Sequence, residues 1–236
     1  MNRFSYYPPI LAYHRVGAHQ RDHVPTVSSE AFELQLSFLA RRRYRVVGLE
    51  DVVDGLIRGA RLPRRMAAIT FDDGYAETST IAWPLLKRFG FPATVFVSTD
   101  EVGRPGFATW EQVAAMAKEG MTIGSHTIHH SYVPLVSSER LPAELAESKR
   151  TIEERLGRPV RFLSYPIGGY TPEAQAVARQ AGYLAACTTN RAASRNGIDP
   201  FALRRVKVTD RDANLWLFRV KLSGYYDAFR QLKPPS

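Results

Sequence analysis

The 236-residue chain has a single cysteine, Cys187. One thiol closes no internal disulfide. Its neighbours Ala185, Ala186, Thr188 and Thr189 read as a buried strand, so Cys187 is expected to be structural and not a nucleophile. No apolar run reaches the roughly 18–20 residues a membrane span needs. The opening stretch, residues 1–9, lacks the apolar centre of a secretory signal, which makes the cytoplasm the expected compartment. Low-complexity linkers and internal repeats are also missing, so one domain over residues 1–236 is expected. Acidic residues are in short supply: 23 Asp and Glu stand against 32 Lys and Arg, for a net charge of +9. That balance favours anionic partners. Nucleic acid is not expected among them, because zinc-finger spacings, a helix-turn-helix pattern and aromatic sheet motifs are all absent.

What is present is enough for one sizeable core: 44% of residues are hydrophobic and 11% aromatic. Short apolar runs alternate with amphipathic stretches. Strands are predicted at 10–14, 44–49, 66–71, 93–98, 121–124, 162–165 and 183–188, with a last one at Val206 and Val208. Helices are predicted from Ser28–Ser29 onward, over 50–60, 76–89, 110–118, 142–156 and 172–181, and at the C-terminus over about 212–230. Regular strand–helix alternation means parallel β/α units. Seven or eight of them in one domain predict a single distorted barrel, with chemistry at the C-terminal ends of its strands.

The C-terminal stretch 204–236 has eight Lys and Arg, three Asp, and the aromatics Trp216, Phe218, Tyr225, Tyr226 and Phe229. Two readings stand. It could contact an anionic membrane surface peripherally, or bury its aromatic face in the core.

Polar residues do follow the apolar runs. Ile69-Thr70-Phe71 leads into Asp72-Asp73-Gly74-Tyr75, two carboxylates at a strand end. Acids this close repel unless a cation neutralises one, so one could bind metal while the other stays free as a base. Asp-Asp-Gly is equally a turn signal. Half of the six histidines fall within Ser125-His126-Thr127-Ile128-His129-His130. His126 and His130 are four apart and would face the same way on a helical turn. Two imidazoles and a carboxylate make a metal triad with open positions. His129 reads as supporting or unrelated.

Thr70-Phe71-Asp72-Asp73-Gly74 resembles the first motif of the polysaccharide deacetylases with a NodB-homology domain, carbohydrate esterase family 4. His126-Thr127-Ile128-His129-His130 resembles the second, and Ser164-Tyr165-Pro166-Ile167-Gly168 the third. The stretches Ile10–Val16 and Val27–Asp51 are similar to the poly-N-acetylglucosamine deacetylase branch. The resemblance covers roughly residues 8 to 210 of the sequence.

The resemblance implies a NodB-type barrel that removes an N-acetyl group from an amino sugar in a polysaccharide, an oligosaccharide or a lipid-linked glycan. Asp73, His126 and His130 would hold one divalent metal, zinc first, with cobalt, nickel or iron as alternatives. Asp72 would be the general base and Thr127 would brace the metal-binding loop by hydrogen bonds. The backbone N–H of Tyr75 would help hold the oxyanion, and Tyr165 and Pro166 would line the substrate side. Three departures stand out. Ser164 occupies the place of the family's base-orienting Arg, so Arg204 or Arg205 would have to supply the guanidinium. No His follows His130, which leaves His14 as the substitute general acid. The family's Asp-plus-Trp motif is missing, and the similar spacing of Asp212 and Trp216 is a chance match. These losses keep open a second function: a glycan-binding relative with feeble turnover.

Overall fold

The computed structural model describes residues 7–18, 23–190 and 199–224. Eleven strands and seven α-helices alternate through them. The strands are β1 (Ile10–Tyr13), β2 (Arg15–Val16), β3 (Thr26–Val27), β4 (Arg45–Val47), β5 (Met66–Phe71), β6 (Thr94–Val97), β7 (Thr122–Ser125), β8 (Phe162–Ser164), β9 (Ala185–Thr188), β10 (Leu203–Arg204) and β11 (Val206–Lys207). The helices are α1 (Ser29–Arg41), α2 (Leu49–Ile57), α3 (Trp83–Phe89), α4 (Trp110–Lys118), α5 (Ser148–Leu156), α6 (Pro172–Gln180) and α7 (Leu215–Lys221). Side-chain caps mark several starts: Ser28, Thr109 and Thr171 accept from Ala31, Gln112 and Ala174, satisfying first-turn N–H groups.

All pairings of the large sheet are parallel, in the order β10-β9-β8-β7-β6-β5-β1-β11, with β4 on the N-terminal half of β5. The two ends of this order are one piece of chain. Leu203 and Arg204 pair with β9, and Val206 and Lys207 pair with β1. Between them, the Arg205 N–H bonds the Thr188 carbonyl. The segment thus brings the sheet almost full circle into the expected seven-to-eight-unit barrel, and Arg205 sits at the seam.

Strand alternation divides the core in two. Leu11 and Tyr13, Ala67, Ile69 and Phe71, Val95 and Val97 join the larger cluster that meets the helices. Ile10, Met66, Ala68, Phe96, Phe162, Ala185, Cys187 and Leu203 form the second cluster, inside the barrel, with Val52 and Val53 of α2. Cys187 is fully buried there, and burial pushes its thiol up to about 12, consistent with a structural residue.

The chain end differs in detail from the expected helix over 212–230. A 3-10 turn, Asp210–Ala213, precedes the seven-residue α7. Phe218 is buried, whereas Trp216 is 67% exposed. Tyr225, Tyr226 and Phe229 lie outside the described residues. Asp212 is buried, takes the Thr209 N–H and pairs with Lys221 at 2.6 Å, a local structural role. Among the described residues, no helix is long and apolar enough to cross a membrane.

Candidate metal centre and active site

Alternation along β5 decides where its two acids go. Met66, Ala68 and Thr70 face the barrel interior, so Asp72, next in the same register, points into the barrel mouth. Its carboxylate is buried and meets Arg205 in a two-pronged contact: Nη1 to Oδ1 at 2.7 Å and Nη2 to Oδ2 at 2.6 Å. The same guanidinium donates to Thr70 Oγ1 at 3.0 Å and Ser164 Oγ at 2.8 Å. Such a fork fits a carboxylate far better than a lysine could. Burial alone would raise the Asp72 carboxyl, but Arg205 outweighs it and holds the group below the usual range. Arg204, the other candidate, stacks near Tyr7 instead. Ser164, standing where the family has Arg, accepts a hydrogen bond from the guanidinium that β10–β11 supplies.

Asp73 would point away from the mouth in a regular strand. Its φ of 72° turns the chain, and Gly74 follows at 77°. Only glycine fits there, because a Cβ would lie 2.9 Å from Val97 Cγ1. The turned carboxylate meets the histidines that follow β7. Asp73 Oδ1 is 3.3 Å from His126 Nε2 and 3.2 Å from His130 Nε2. The three donor atoms all lie within 4.8 Å of one another.

This donor set fits a divalent metal. His126 Nδ1 donates to the Ser164 carbonyl at 2.7 Å, which orients the ring so that Nε2 faces Asp73. Asp73 Oδ1 is buried and makes no hydrogen bond, although both imidazoles stand beside it. Two ring nitrogens converging on a buried carboxylate oxygen are the natural surroundings of a cation.

The expected helical turn across His126–His130 is absent. The residues form a loop, and the two rings meet because Thr127 and His130 take φ of 68° and 52°. With Asp73 and Ile167, these make four of the six non-glycine residues of positive φ among those described. Strain of this kind gathers at functional sites.

Thr127 does not brace the loop with its side chain. Its hydroxyl is buried without a hydrogen-bond partner. Ser125 Oγ takes the Thr127 N–H at 3.2 Å, and Ser148 Oγ donates to the Thr127 carbonyl at 3.0 Å. Glu144, which sequence reasoning missed, accepts from the N–H groups of Ile128 and His129 and from His129 Nδ1. His129 therefore supports the loop and stands outside the donor set.

His14 follows β1 in the interior register of Ile10 and Ala12, which aims it at the same mouth. Its Nδ1 is buried without a hydrogen-bond partner. Burial lowers its pKa from the usual 6.5, partly offset by the nearby carboxylates of Asp72 and Asp73. Desolvation disfavours the cationic ring. The Tyr75 ring lies between Phe107, at 5.1 Å, and the Arg15 guanidinium, at 4.3 Å. Tyr165 is buried and stacks on Tyr170 at 5.3 Å. Pro166 opens a buried 3-10 turn that presents Ile167 to solvent, 71% exposed.

A parallel barrel carrying a carboxylate–imidazole donor set beside a second, guanidinium-held carboxylate defines the class: a hydrolase with a metal-type site at the C-terminal mouth. The chain belongs to the polysaccharide deacetylase family, whose model matches residues 59–186. It is 30% identical over 201 residues to the polysaccharide deacetylase homologue YxkH of Bacillus subtilis, covering 85% of this chain and 71% of that one. Among solved structures it is similar to the Streptococcus pyogenes deacetylase PplD in complex with acetate, with a TM-score of 0.81, 25% identity, and 90% and 96% of the two chains covered. IcaB from Ammonifex degensii gives a TM-score of 0.78 at 26% identity, covering 94% and 97%. The chain spans 71% of the length of YxkH, 54% of that of a peptidoglycan-N-acetylglucosamine deacetylase of Bacillus cereus, and 18% of that of an Escherichia coli poly-β-1,6-N-acetyl-D-glucosamine N-deacetylase. Metal dependence is a general property of this family.

Proposed function

We propose that this chain hydrolyses the N-acetyl group of an amino sugar within a polysaccharide, an oligosaccharide or a lipid-linked glycan. The observation that carries this reading is the meeting, at one barrel mouth, of the Asp73–His126–His130 donor set with a separate carboxylate, Asp72, locked by Arg205. Relatives named poly-β-1,6-N-acetyl-D-glucosamine N-deacetylase support the sugar class.

In this reading Asp73, His126 and His130 hold one divalent metal, zinc first and cobalt, nickel or iron as alternatives. Such an ion would acidify water and polarise the amide carbonyl. Asp72 takes the proton of the attacking water at a carboxylate oxygen. Arg205 keeps that carboxylate ionised and fixed in direction. The backbone N–H of Tyr75 would help hold the oxyanion, and Tyr165 and Pro166 would line the substrate side. The leaving amine needs a proton, which we assign to His14. Burial lowers the His14 pKa from its usual value, and the carboxylates of Asp72 and Asp73 partly offset this. The proton it passes to the amine would be the one that Asp72 takes from the attacking water, so the carboxylate and the ring both return to their starting forms.

The absence of any His beyond His130 favours a second reading, a glycan binder with feeble turnover. Acetate release from N-acetylated oligosaccharides in the presence of zinc tests the choice. Release supports the deacetylase; oligosaccharide binding without release supports the binder. His14→Ala should slow release about 10²-fold, the lower end for losing a general acid, with metal content unchanged. A wild-type rate in that variant would pass the donor role to Asp72.

The same reading includes a peripheral encounter with an anionic membrane surface, where a lipid-linked substrate would lie. Exposed Trp216 on a chain of charge +9 supports it. Equal sedimentation of wild type and Trp216→Ser with anionic vesicles would contradict it.

A further inference from the structure

The histidine loop needs something to hold it. Thr127 and His130 are both in the left-handed region, at 68° and 52°. Such a backbone conformation is costly for a residue with a side chain and persists only where its surroundings fix it. From the β6 side, Ser98 Oγ donates to the His126 carbonyl at 2.9 Å, and the N–H groups of Thr99 and Asp100 reach the carbonyls of Thr127 and Ile128. The opposite side is held by two residues of one helix.

That helix begins with a wide π-type stretch, Ala143–Glu147, and continues as α5. A π-turn inside an α-helix often marks a functional position. Glu144 lies in it, and Ser148 follows four residues on. Glu144 is 2% exposed and Ser148 fully buried. Glu144 Oε2 accepts from Ile128 N at 3.1 Å and His129 N at 3.2 Å, and Oε1 accepts from His129 Nδ1 at 2.6 Å. Ser148 Oγ bonds the Thr127 carbonyl at 3.0 Å and Ser125 Oγ at 2.8 Å. These contacts touch every residue from 125 to 129 except His126. The nearest cation to Glu144 is Arg140, 3.7 Å away on an exposed side chain. A carboxylate this deeply buried is costly unless it is well hydrogen-bonded, and here its bonds all go to the loop.

We infer that Glu144, with Ser148, is a positioning residue. It presets the loop so that both imidazoles face Asp73 before any metal arrives, and thereby sets metal affinity. This rests on the reading that Asp73, His126 and His130 hold the metal. Neither Glu144 nor Ser148 touches substrate.

The test is Zn²⁺ titration of the metal-free full-length protein in competition with a chromogenic chelator, with no activity assay involved. Glu144→Ala should weaken Zn²⁺ binding about 10–100-fold, the usual scale for losing a residue that orients a ligand. Glu144→Gln should bind close to wild type. Its amide oxygen can still take both N–H groups, and its NH₂ can donate to the other tautomer of His129. Thermal melts of the metal-free forms establish that each variant is folded. Wild-type affinity in folded Glu144→Ala overturns the inference, as does Glu144→Gln binding as weakly as Ala. Should Glu144→Ala not fold, Ser148→Ala decides: reduced affinity supports the clamp and unchanged affinity overturns it. Wild type binding Zn²⁺ no better than His126→Ala would sink the metal reading itself, and the clamp with it, a result distinct from failure of the clamp alone.

Discussion

Around Asp72, a strand side chain in regular register meets a guanidinium from the far end of the chain, 133 residues away. Around Asp73, one residue on, the backbone leaves the strand, and the partners are imidazoles on a loop of left-handed residues. The first region is part of the barrel: Arg205 lies at the seam where the sheet closes, so the base is oriented by the fold itself. The second is mounted on the barrel and held by hydrogen bonds from neighbouring loops and one helix. In the proposed reading, a base fixed by the barrel beside a donor set held by hydrogen bonds lets the two carboxylates, adjacent in sequence, take different work. Asp72 is paired with a cation within the protein, and in the proposed reading Asp73 is left for one from outside.

If the rim alone governs the metal, removing a ring should empty it and leave the barrel standing. His126→Ala and His130→Ala should each lose bound metal and fall to background activity, while His129→Ala keeps metal. Metal analysis by mass spectrometry of the purified variants reads this. The opposite pattern for His129 and His130 would break the division.

Arg205→Lys strikes the other region. Lysine cannot supply the fork to Asp72 together with the bonds to Thr70 and Ser164. Losing one or two charge-assisted bonds costs about 3 kcal/mol. For a chain of this size that is a fall in Tm of roughly 6–12 °C. Metal content should be unchanged. Loss of metal at wild-type Tm would mean that the two regions are not separable.

The smallest effect is expected at Thr127. Its buried hydroxyl has no partner, so Thr127→Val should alter stability by no more than about 1 kcal/mol, with Zn²⁺ affinity unchanged. A large loss in chelator competition would show that the hydroxyl does hold the loop.

What the sequence revealed divides along the same line. Asp72-Asp73 and the histidine cluster were legible because each is local and follows an apolar run. A spacing of four led to the expectation that His126 and His130 face the same way, and their rings do lie 4.9 Å apart, but the helical turn behind that expectation is one the chain does not make. Dihedral angles of Thr127 and His130 leave no trace in residue type. The choice of Arg205 over Arg204 required knowing which face each side of the seam presents, a property of barrel closure. Glu144 was missed although a signal existed. It lies one turn from Leu141 and from Ser148, on the side of the 142–156 helix that packs inward, where an acid needs a reason. The lowered pKa of His14 arises from three-dimensional burial, which no motif encodes.

The central claim, that the neighbouring carboxylates divide metal binding from proton transfer, is tested most directly by measuring zinc content and acetate-release rate in Asp72→Asn and Asp73→Asn side by side. Asp72→Asn should retain zinc and lose most of its rate, because an amide cannot accept the water's proton. Asp73→Asn should lose both. Zinc lost from Asp72→Asn but kept in Asp73→Asn, or full activity in Asp72→Asn, would contradict the account.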